Sequence, residues 1–339
     1  NYRRIDLLKC MRITHVIYLT EKQGQVIFAG AEHHLFLLMT QQVRHGCAVE
    51  FVPIVFKSGF ILEKKFEELR KVGIVVTPIY IERHFRRWLA PVLMLRMIPF
   101  FRSRRNGVIH THLDIADFIA RISAYIAGCR YLVNTFHNDE PHYRRFLWRF
   151  QLRLLDRLTR CSIVISDHIR DYLVRVVGLQ DKHIITIPYG ITLSQNALTR
   201  TDARKILNLT NEDFVVGFVG RLEIQKQPLF FVRTIANIPD IRAVIIGDGS
   251  MRGVLEDAIR DLPKNKVIIA GYRPDAVNLM PAFDLLCLPS RWEGLGYVLL
   301  EAMVCGVPVV GSTSGAIPEI LGYGKYGLLF NTDNTEELQ

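Results

Sequence analysis

Leu285-Leu286-Cys287-Leu288-Pro289-Ser290-Arg291-Trp292-Glu293-Gly294-Leu295-Gly296-Tyr297-Val298-Leu299-Leu300-Glu301-Ala302-Met303 holds a strand, a loop and a helix start in one run. Leu285 to Pro289 is short and unbroken in its apolarity, the pattern of a strand covered on both faces of a parallel sheet. A glycine-bearing loop follows, and a helix begins near Gly296. Unpaired N–H groups at a helix start, together with the helix dipole, make a ready phosphate site. Gly294 and Gly296 let a ligand approach the main chain. Glu293 in the loop and Glu301 about two turns along the helix lie on one side, where they can accept hydrogen bonds from vicinal hydroxyls at two places on one extended ligand.

Outward from this stretch the same alternation repeats. Upstream, apolar runs at Phe214 to Val219, Ala243 to Gly247 and Lys266 to Gly271 read as strands, and downstream Val307 to Val310 does too. An earlier series comprises Arg12 to Leu19, Val49 to Val55, Val75 to Tyr80, Val108 to His112, Tyr131 to Thr135, Ser162 to Ser166 and Ile184 to Pro188. Helical spacing of Leu35, Leu38 and Met39 predicts a helix from about Ala31, closed by Gly46 in the left-handed conformation. Short strands separated by helical patterns predict parallel sheets with covering helices. The chain has 339 residues, twice the usual domain length of roughly 100–200 residues, so two domains are expected. The text is loop-like after Gly190, which sets the boundary near residue 195: two doubly wound α/β domains, 1–195 and 196–339. Ligands of such sheets bind beyond the carboxyl ends of the strands.

Glu293 and Glu301, eight positions apart, are followed by Ala302-Met303-Val304-Cys305-Gly306-Val307-Pro308-Val309-Val310 and Ile317-Pro318-Glu319-Ile320. This run resembles the E-x7-E region of retaining family-4 glycosyltransferases (glycosyl transferases group 1). Their GT-B fold has two Rossmann-like parallel-sheet domains facing across a cleft. The resemblance implies that Glu293 holds hydroxyls of a donor sugar at the reacting end, that Glu301 holds the ribose of its nucleotide, and that the backbone at Gly296, Tyr297 and Val298 cradles the diphosphate, with Gly294 in the same loop. Ser314-Gly315-Ala316 departs from the family's usual Gly-Gly pair. A second segment, Val215-Val216-Gly217-Phe218-Val219-Gly220-Arg221-Leu222-Glu223-Ile224-Gln225-Lys226, is similar to the family's G-R-L…K stretch. By that similarity Gly220, Arg221 and Lys226 bind the donor, and the two cations stabilise the departing diphosphate, as fixed positive charge should. Gly247-Asp248-Gly249 resembles a tight turn beside the nucleotide.

In the first domain, Val108-Ile109-His110-Thr111-His112 and Leu132-Val133-Asn134-Thr135-Phe136-His137-Asn138 resemble family segments. His137 corresponds to a histidine at the catalytic cleft, where a neutral imidazole can hydrogen-bond the donor sugar or the acceptor hydroxyl. His112 is an acceptor-side candidate, and His110 is expected to brace the interior. Gly30-Ala31-Glu32 looks like the family's acceptor-side Gly-Gly-Ala-Glu turn, with Ala29 in place of the first glycine, and makes Gly30 a further acceptor-side candidate.

Charge divides the chain. Residues 1–195 carry 29 Lys and Arg against 16 Asp and Glu, whereas residues 196–339 carry 14 against 17. A basic half predicts an anionic partner. Arg145, Arg149, Arg153 and Arg157 form a stripe along one helix, with Leu147, Phe150, Leu154 and Leu158 expected as its apolar face. His84, Arg86, Arg87, Arg102, Arg104 and Arg105 bracket the apolar run Trp88 to Phe101, and these clusters fit docking on an anionic membrane surface. That run is too short to span a bilayer and contains Arg96, no export signal is visible in residues 1–11, and six scattered Cys lack a C-x-x-C pair, so a cytoplasmic location, peripheral on the inner membrane face, is expected.

No D-x-D, P-loop or H-E-x-x-H is present, and neither a metal nor any other cofactor is implied. The resemblance implies transfer of a sugar, with retention, from a nucleotide-diphosphate donor to a hydroxyl acceptor, a lipid-linked or envelope glycan being the expectation. A leaving phosphate oxygen would take the acceptor proton on the same face. A sugar phosphorylase or nucleotide-sugar epimerase shares the architecture and is the first alternative, and a non-catalytic nucleic-acid-binding protein, which would explain the basic half, is the second; the arginine stripe lacks an RNA-binding motif, so nucleic acid is not expected as a partner. Family members continue into further C-terminal helices, so the resemblance also implies a second domain cut short at Gln339, where Thr335-Glu336-Glu337-Leu338 starts a helix.

Overall fold

A computed structural model describes residues 11–19, 21–22, 25–26, 30–56, 60–81, 90–191 and 198–339. The expected boundary at 195, Ala29, and His84, Arg86 and Arg87 lie outside the described residues. The chain divides into two compact units, the first running to Ile165 and from Ile169 to Pro188, the second comprising Ser166–His168 and Tyr189–Gln339.

In the first unit an eight-stranded sheet is built from β1 (Arg12–Tyr18), β4 (Ala48–Phe56), β5 (Val75–Val76), β6 (Ile79–Ile81), β7 (Val108–His112), β8 (Tyr131–Phe136), β9 (Cys161–Val164) and β10 (Ile184–Thr186). Its order is β10-β9-β8-β7-β1-β4-β5, with β6 also paired to β4, and every pairing is parallel. The expected strand Val75 to Tyr80 is broken in two because Pro78 has no N–H to give to a ladder; Thr77 N–H instead bonds Phe51 O at 2.9 Å. A small antiparallel hairpin of β2 (Glu21–Lys22) and β3 (Gln25–Val26) follows β1. The helix Gly30–Arg44 begins one residue before its expected start, buries Leu35, Phe36 and Met39, and is followed by Gly46 at φ 86°.

The helix Phe146–Leu158 turns most of its expected apolar face outward. Phe146, Leu147, Phe150 and Leu154 are exposed (80%, 70%, 62% and 44%), while the helix packs through Leu152 and Leu155. The helix carries two apolar stripes, and periodicity alone does not say which one meets the protein. Trp148 joins the inner side, 4.5 Å ring to ring from His142. Among the described residues no helix is long and apolar enough to cross a membrane.

The second unit holds a six-stranded, wholly parallel sheet of β11 (Phe214–Val219), β12 (Ile241–Ile246), β13 (Val267–Gly271), β14 (Leu285–Leu288), β15 (Val309–Ser312) and β16 (Leu328–Phe330), in the order β13-β12-β11-β14-β15-β16. β16 was not among the expected strands; three residues with Leu328 exposed on an edge give periodicity too little to register. Buried Val215, Val244, Ile246, Leu286, Leu288, Leu299 and Val309 form one of the two cores flanking this sheet.

Both sheets reverse their winding at the first strand of the unit. β1 lies between β4 and β7, and β11 lies between β12 and β14. At such a switch point the connections leave the strand ends in opposite directions and open a crevice. The loops Gly220–Lys226 and Ser290–Gly296 follow the two adjacent strands at the second unit's switch point, and His112 ends the corresponding strand of the first.

Candidate functional site

In the second unit the two loops of the switch point are joined by charge. Lys226 Nζ pairs with Glu293 Oε2, and each side chain is only 13% exposed. Ser290 Oγ donates to the same Glu293 oxygen at 3.1 Å. Gln225 fastens the loops from behind: its Nε2 donates to Trp292 O at 3.0 Å, its carbonyl accepts from Arg291 N at 2.8 Å, and its Oε1 accepts from Arg221 Nη2 at 3.0 Å. Lys226 and Glu293 are thus brought together as a pair, whereas Arg221 is exposed, with its guanidinium steered by Gln225. Leu222 N–H donates to Asp248 O at 3.0 Å, which sets the 247–249 turn against the Gly220–Lys226 loop.

The helix Tyr297–Val304 starts at Gly296, which sits at φ 84° and ψ 44° with no side chain capping the first turn. A left-handed N-cap is costly for any residue with a Cβ, and it leaves the first-turn amides to be satisfied from outside the helix. Gly294 and Gly296 are both buried, and Val298 is partly so. Tyr297 Oη donates to Gly190 O at 3.3 Å, and its ring meets Tyr189 edge-on at 6.1 Å. Burial, and then the charge of Glu301, push the Tyr297 phenol up to about 12. Glu301 itself is pushed up to about 7 by burial, and among the described residues its carboxylate has neither a hydrogen bond nor an ion pair. A carboxylate so desolvated gains most from hydroxyl donors supplied by a ligand.

The departure at Ser314-Gly315-Ala316 keeps the one glycine that the geometry demands. Gly315 lies at φ 60°, and a Cβ there would stand 2.3 Å from Glu293 O; Ala316 N–H then bonds that same carbonyl at 2.9 Å. Gln225, Ser290 and Gly315 escaped the sequence reading. The position of Gln225 between Arg221 and Lys226 was the available signal for one of them.

In the first unit β7 and β8 end in histidines. Parallel register sets His15 beside His110 and Ile17 beside His112, so alternation puts His15, His110 and His112 on one face. All three are buried. His110 Nε2 meets Thr135 Oγ1 at 2.8 Å, in the bracing role expected of it. His112 Nε2 lies 3.1 Å from His15 Nδ1, and His112 Nδ1 lies 3.2 Å from His137 Nε2. Both ring nitrogens of His112 are therefore engaged by other imidazoles, while His137, just past β8, borders a small pocket with Leu113, Phe136, Asn138, Glu140 and Tyr143. Burial holds His15 down at about 4, and burial together with the nearby His34 holds His137 at about 3; His110 and His112 are lowered by burial and by neighbouring histidines. The cluster is neutral at pH 7. Gly30, exposed, opens the helix Gly30–Arg44.

With this geometry in view, two family models cover most of the chain: Glycosyltransferase Family 4 over residues 28–195 and Glycosyl transferases group 1 over residues 213–339. Among similar proteins, UDP-Gal:alpha-D-GlcNAc-diphosphoundecaprenol alpha-1,3-galactosyltransferase of Escherichia coli is 28% identical over 64% of this chain, and the match spans 60% of that enzyme's length. An uncharacterized glycosyltransferase of Methanocaldococcus jannaschii is 24% identical over 92% of this chain and 84% of its own. The crystal structure of Anabaena HepE in complex with UDP and glucose superposes with a TM-score of 0.79 at 23% identity, covering 97% of this chain and 88% of that one. The two parallel-sheet units have the GT-B fold. The chain belongs to the group 1, family 4 glycosyltransferases.

Proposed function

We propose that this protein transfers a sugar, with retention, from a nucleotide-diphosphate donor to a hydroxyl of a glycolipid or growing polysaccharide. The observation that carries this reading is the second unit's switch point. There a desolvated Glu301, whose carboxylate has no hydrogen bond among the described residues, a Glu293 held by Lys226 and Ser290, and the first-turn amides at Gly296–Val298 all belong to one loop and helix start. Glu301 accepts from ribose hydroxyls, the amides take the diphosphate, and Glu293 accepts from the sugar. Arg221 and Lys226 offset the charge that grows on the diphosphate as its bond to the sugar breaks. In that step the bond from the anomeric carbon to the phosphate oxygen breaks, the bond to the acceptor oxygen forms on the same face, and the acceptor proton passes to the departing phosphate. No carboxylate nucleophile and no metal are needed. In the first unit we assign His137 and Gly30 to the acceptor side; His112, buried with both ring nitrogens engaged by other imidazoles, backs His137 there.

The E. coli relative's name describes a UDP-sugar donor and a diphosphoundecaprenol-linked acceptor, and the HepE crystals contain UDP and glucose. Both support a UDP-sugar here, and the first supports a lipid-linked acceptor. The exposed stripe Phe146, Leu147, Phe150 and Leu154, flanked by exposed Arg145, Arg153 and Arg157, suits the face of an anionic bilayer, and hence a peripheral position on the cytoplasmic membrane. A thermal-shift screen over UDP-, GDP- and ADP-sugars, repeated with Glu301→Ala, tests the donor site; one class should raise Tm only in the unmutated protein. Stabilisation by none of them would remove the donor reading. NMR of the product decides retention, and activity lost in EDTA and restored by a divalent ion would refute metal independence.

A further inference from the structure

The loop that carries Glu293 is pinned at two successive carbonyls. Ala316 N–H bonds Glu293 O at 2.9 Å, and Ser166 Oγ donates to Gly294 O at 2.8 Å. A trans peptide points its N–H away from its C=O, so these two bonds also fix the directions of Gly294 N–H and Leu295 N–H. Among the described residues neither N–H has an acceptor. Gly294 and Leu295 are both buried, and a buried N–H without a partner is costly. Both groups therefore gain from an oxygen that a ligand supplies.

Ser166 reaches this loop from 128 positions away in the sequence. It is wholly buried, and with Asp167 and His168 it belongs to the second unit. The two residues after it are held in turn by Glu319: Asp167 N donates to Oε1 at 3.2 Å and to Oε2 at 3.0 Å, and His168 N donates to Oε2 at 3.3 Å. These amides open the short helix Asp167–Asp171, where the helix itself offers them no carbonyl. A carboxylate there makes a charge-assisted bond. Glu319 stands three residues after Ala316. One short stretch, 316–319, thus holds the Glu293 carbonyl directly and the Gly294 carbonyl through Ser166.

We propose that Ser166 and Glu319 are positioning residues of the Glu293 loop: Ser166 sets the Gly294–Leu295 peptide so that Leu295 N–H is presented to an oxygen of the nucleotide-sugar, and Glu319 sets Ser166. The contact with a nucleotide-sugar rests on the donor reading above, whereas the setting of the peptide does not.

The test labels glycine with 13C at the carbonyl and leucine with 15N in the full chain, without any sugar. The sequence has three Gly-Leu pairs, Gly178-Leu179, Gly294-Leu295 and Gly327-Leu328, and so gives three carbonyl-to-amide NMR peaks. Leu295→Met removes the one of interest and identifies it. Ser166→Ala deletes a single oxygen, and Glu319 is only partly buried, so Ser166→Ala and Glu319→Ala should each lower Tm by no more than about 4 °C. In both variants the Gly294-Leu295 peak should shift while the other two stay. Affinity for the nucleotide-sugar that stabilises the unmutated protein should fall by about three- to tenfold. Glu319→Gln, which keeps an oxygen able to accept, should restore both the peak and the affinity. An unmoved peak in Ser166→Ala, or a moved peak with unchanged affinity in both alanine variants, would overturn the proposal. If the peak moves but no nucleotide-sugar binds the unmutated protein, the donor reading fails and the positioning of the peptide stands.

Discussion

The two units are built with opposite chemistry beyond the ends of their parallel strands. The second unit uses charge on loops: Lys226, Glu293 and Arg221, placed by Gln225 and by the Gly296 helix start. The first has neutral imidazoles on strand ends, buried so fully that protonation is suppressed. A diphosphate needs fixed positive charge, and loops can carry it because solvent and ion pairing stabilise them until the ligand arrives. Sugar hydroxyls need directed lone pairs, and a buried neutral ring supplies these without attracting a counterion.

The sharpest way to break the contrast is at the charged end. Lys226→Ala should cut kcat by about 100- to 1,000-fold, read by donor turnover under saturating substrate. A loss below tenfold would mean that the pair with Glu293 is structural. Next, Glu301→Ala should weaken nucleotide-sugar binding by about 10- to 100-fold in calorimetry. Since Glu301 is raised to about 7 and hydroxyl donors favour the ionised form, binding by the unmutated protein should tighten from pH 6 to 8, and Glu301→Gln should flatten that profile.

The neutral end makes its own demand on pH. Above about 6.5 the histidines are uncharged in both folded and unfolded chains. Between 6.5 and the lowered values of about 4 for His15 and 3 for His137, the unfolded chain takes up protons that the folded one refuses. Stability must therefore fall as pH falls through that window, by up to about 1.4 kcal/mol per pH unit for each such imidazole. Urea titrations at pH 7, 6 and 5 should show the decline, and His110→Gln should lessen it. The smallest effect belongs to the surface: Arg157→Gln should weaken co-sedimentation with anionic vesicles by about fivefold and leave neutral vesicles unaffected. Equal binding to both vesicle types would dismiss the membrane face.

Much of the second unit's site was legible because its parts are contiguous. The strand Leu285–Leu288, the glycine loop and the helix with Glu301 are consecutive, and each is dictated by local apolarity, backbone freedom and helix spacing. Gln225 was harder to see, since its value lies in reaching Trp292 across sixty-seven positions. The first unit was less legible. His112 and His137 could be flagged singly, but nothing local in β1 marks His15 as their neighbour.

Residue types and periodicity alone determined two parallel α/β sheets and the strand, loop and helix that carry Glu293 and Glu301, because these depend on interactions within a few residues of each other. Tertiary structure decided which cation meets Glu293, which apolar stripe of Phe146–Leu158 turns to solvent, and the alignment of Gln42, His15, His112 and His137. Those outcomes depend on strand register and on packing between segments far apart in the chain, where a shift of one residue would send each side chain to the other face of the sheet.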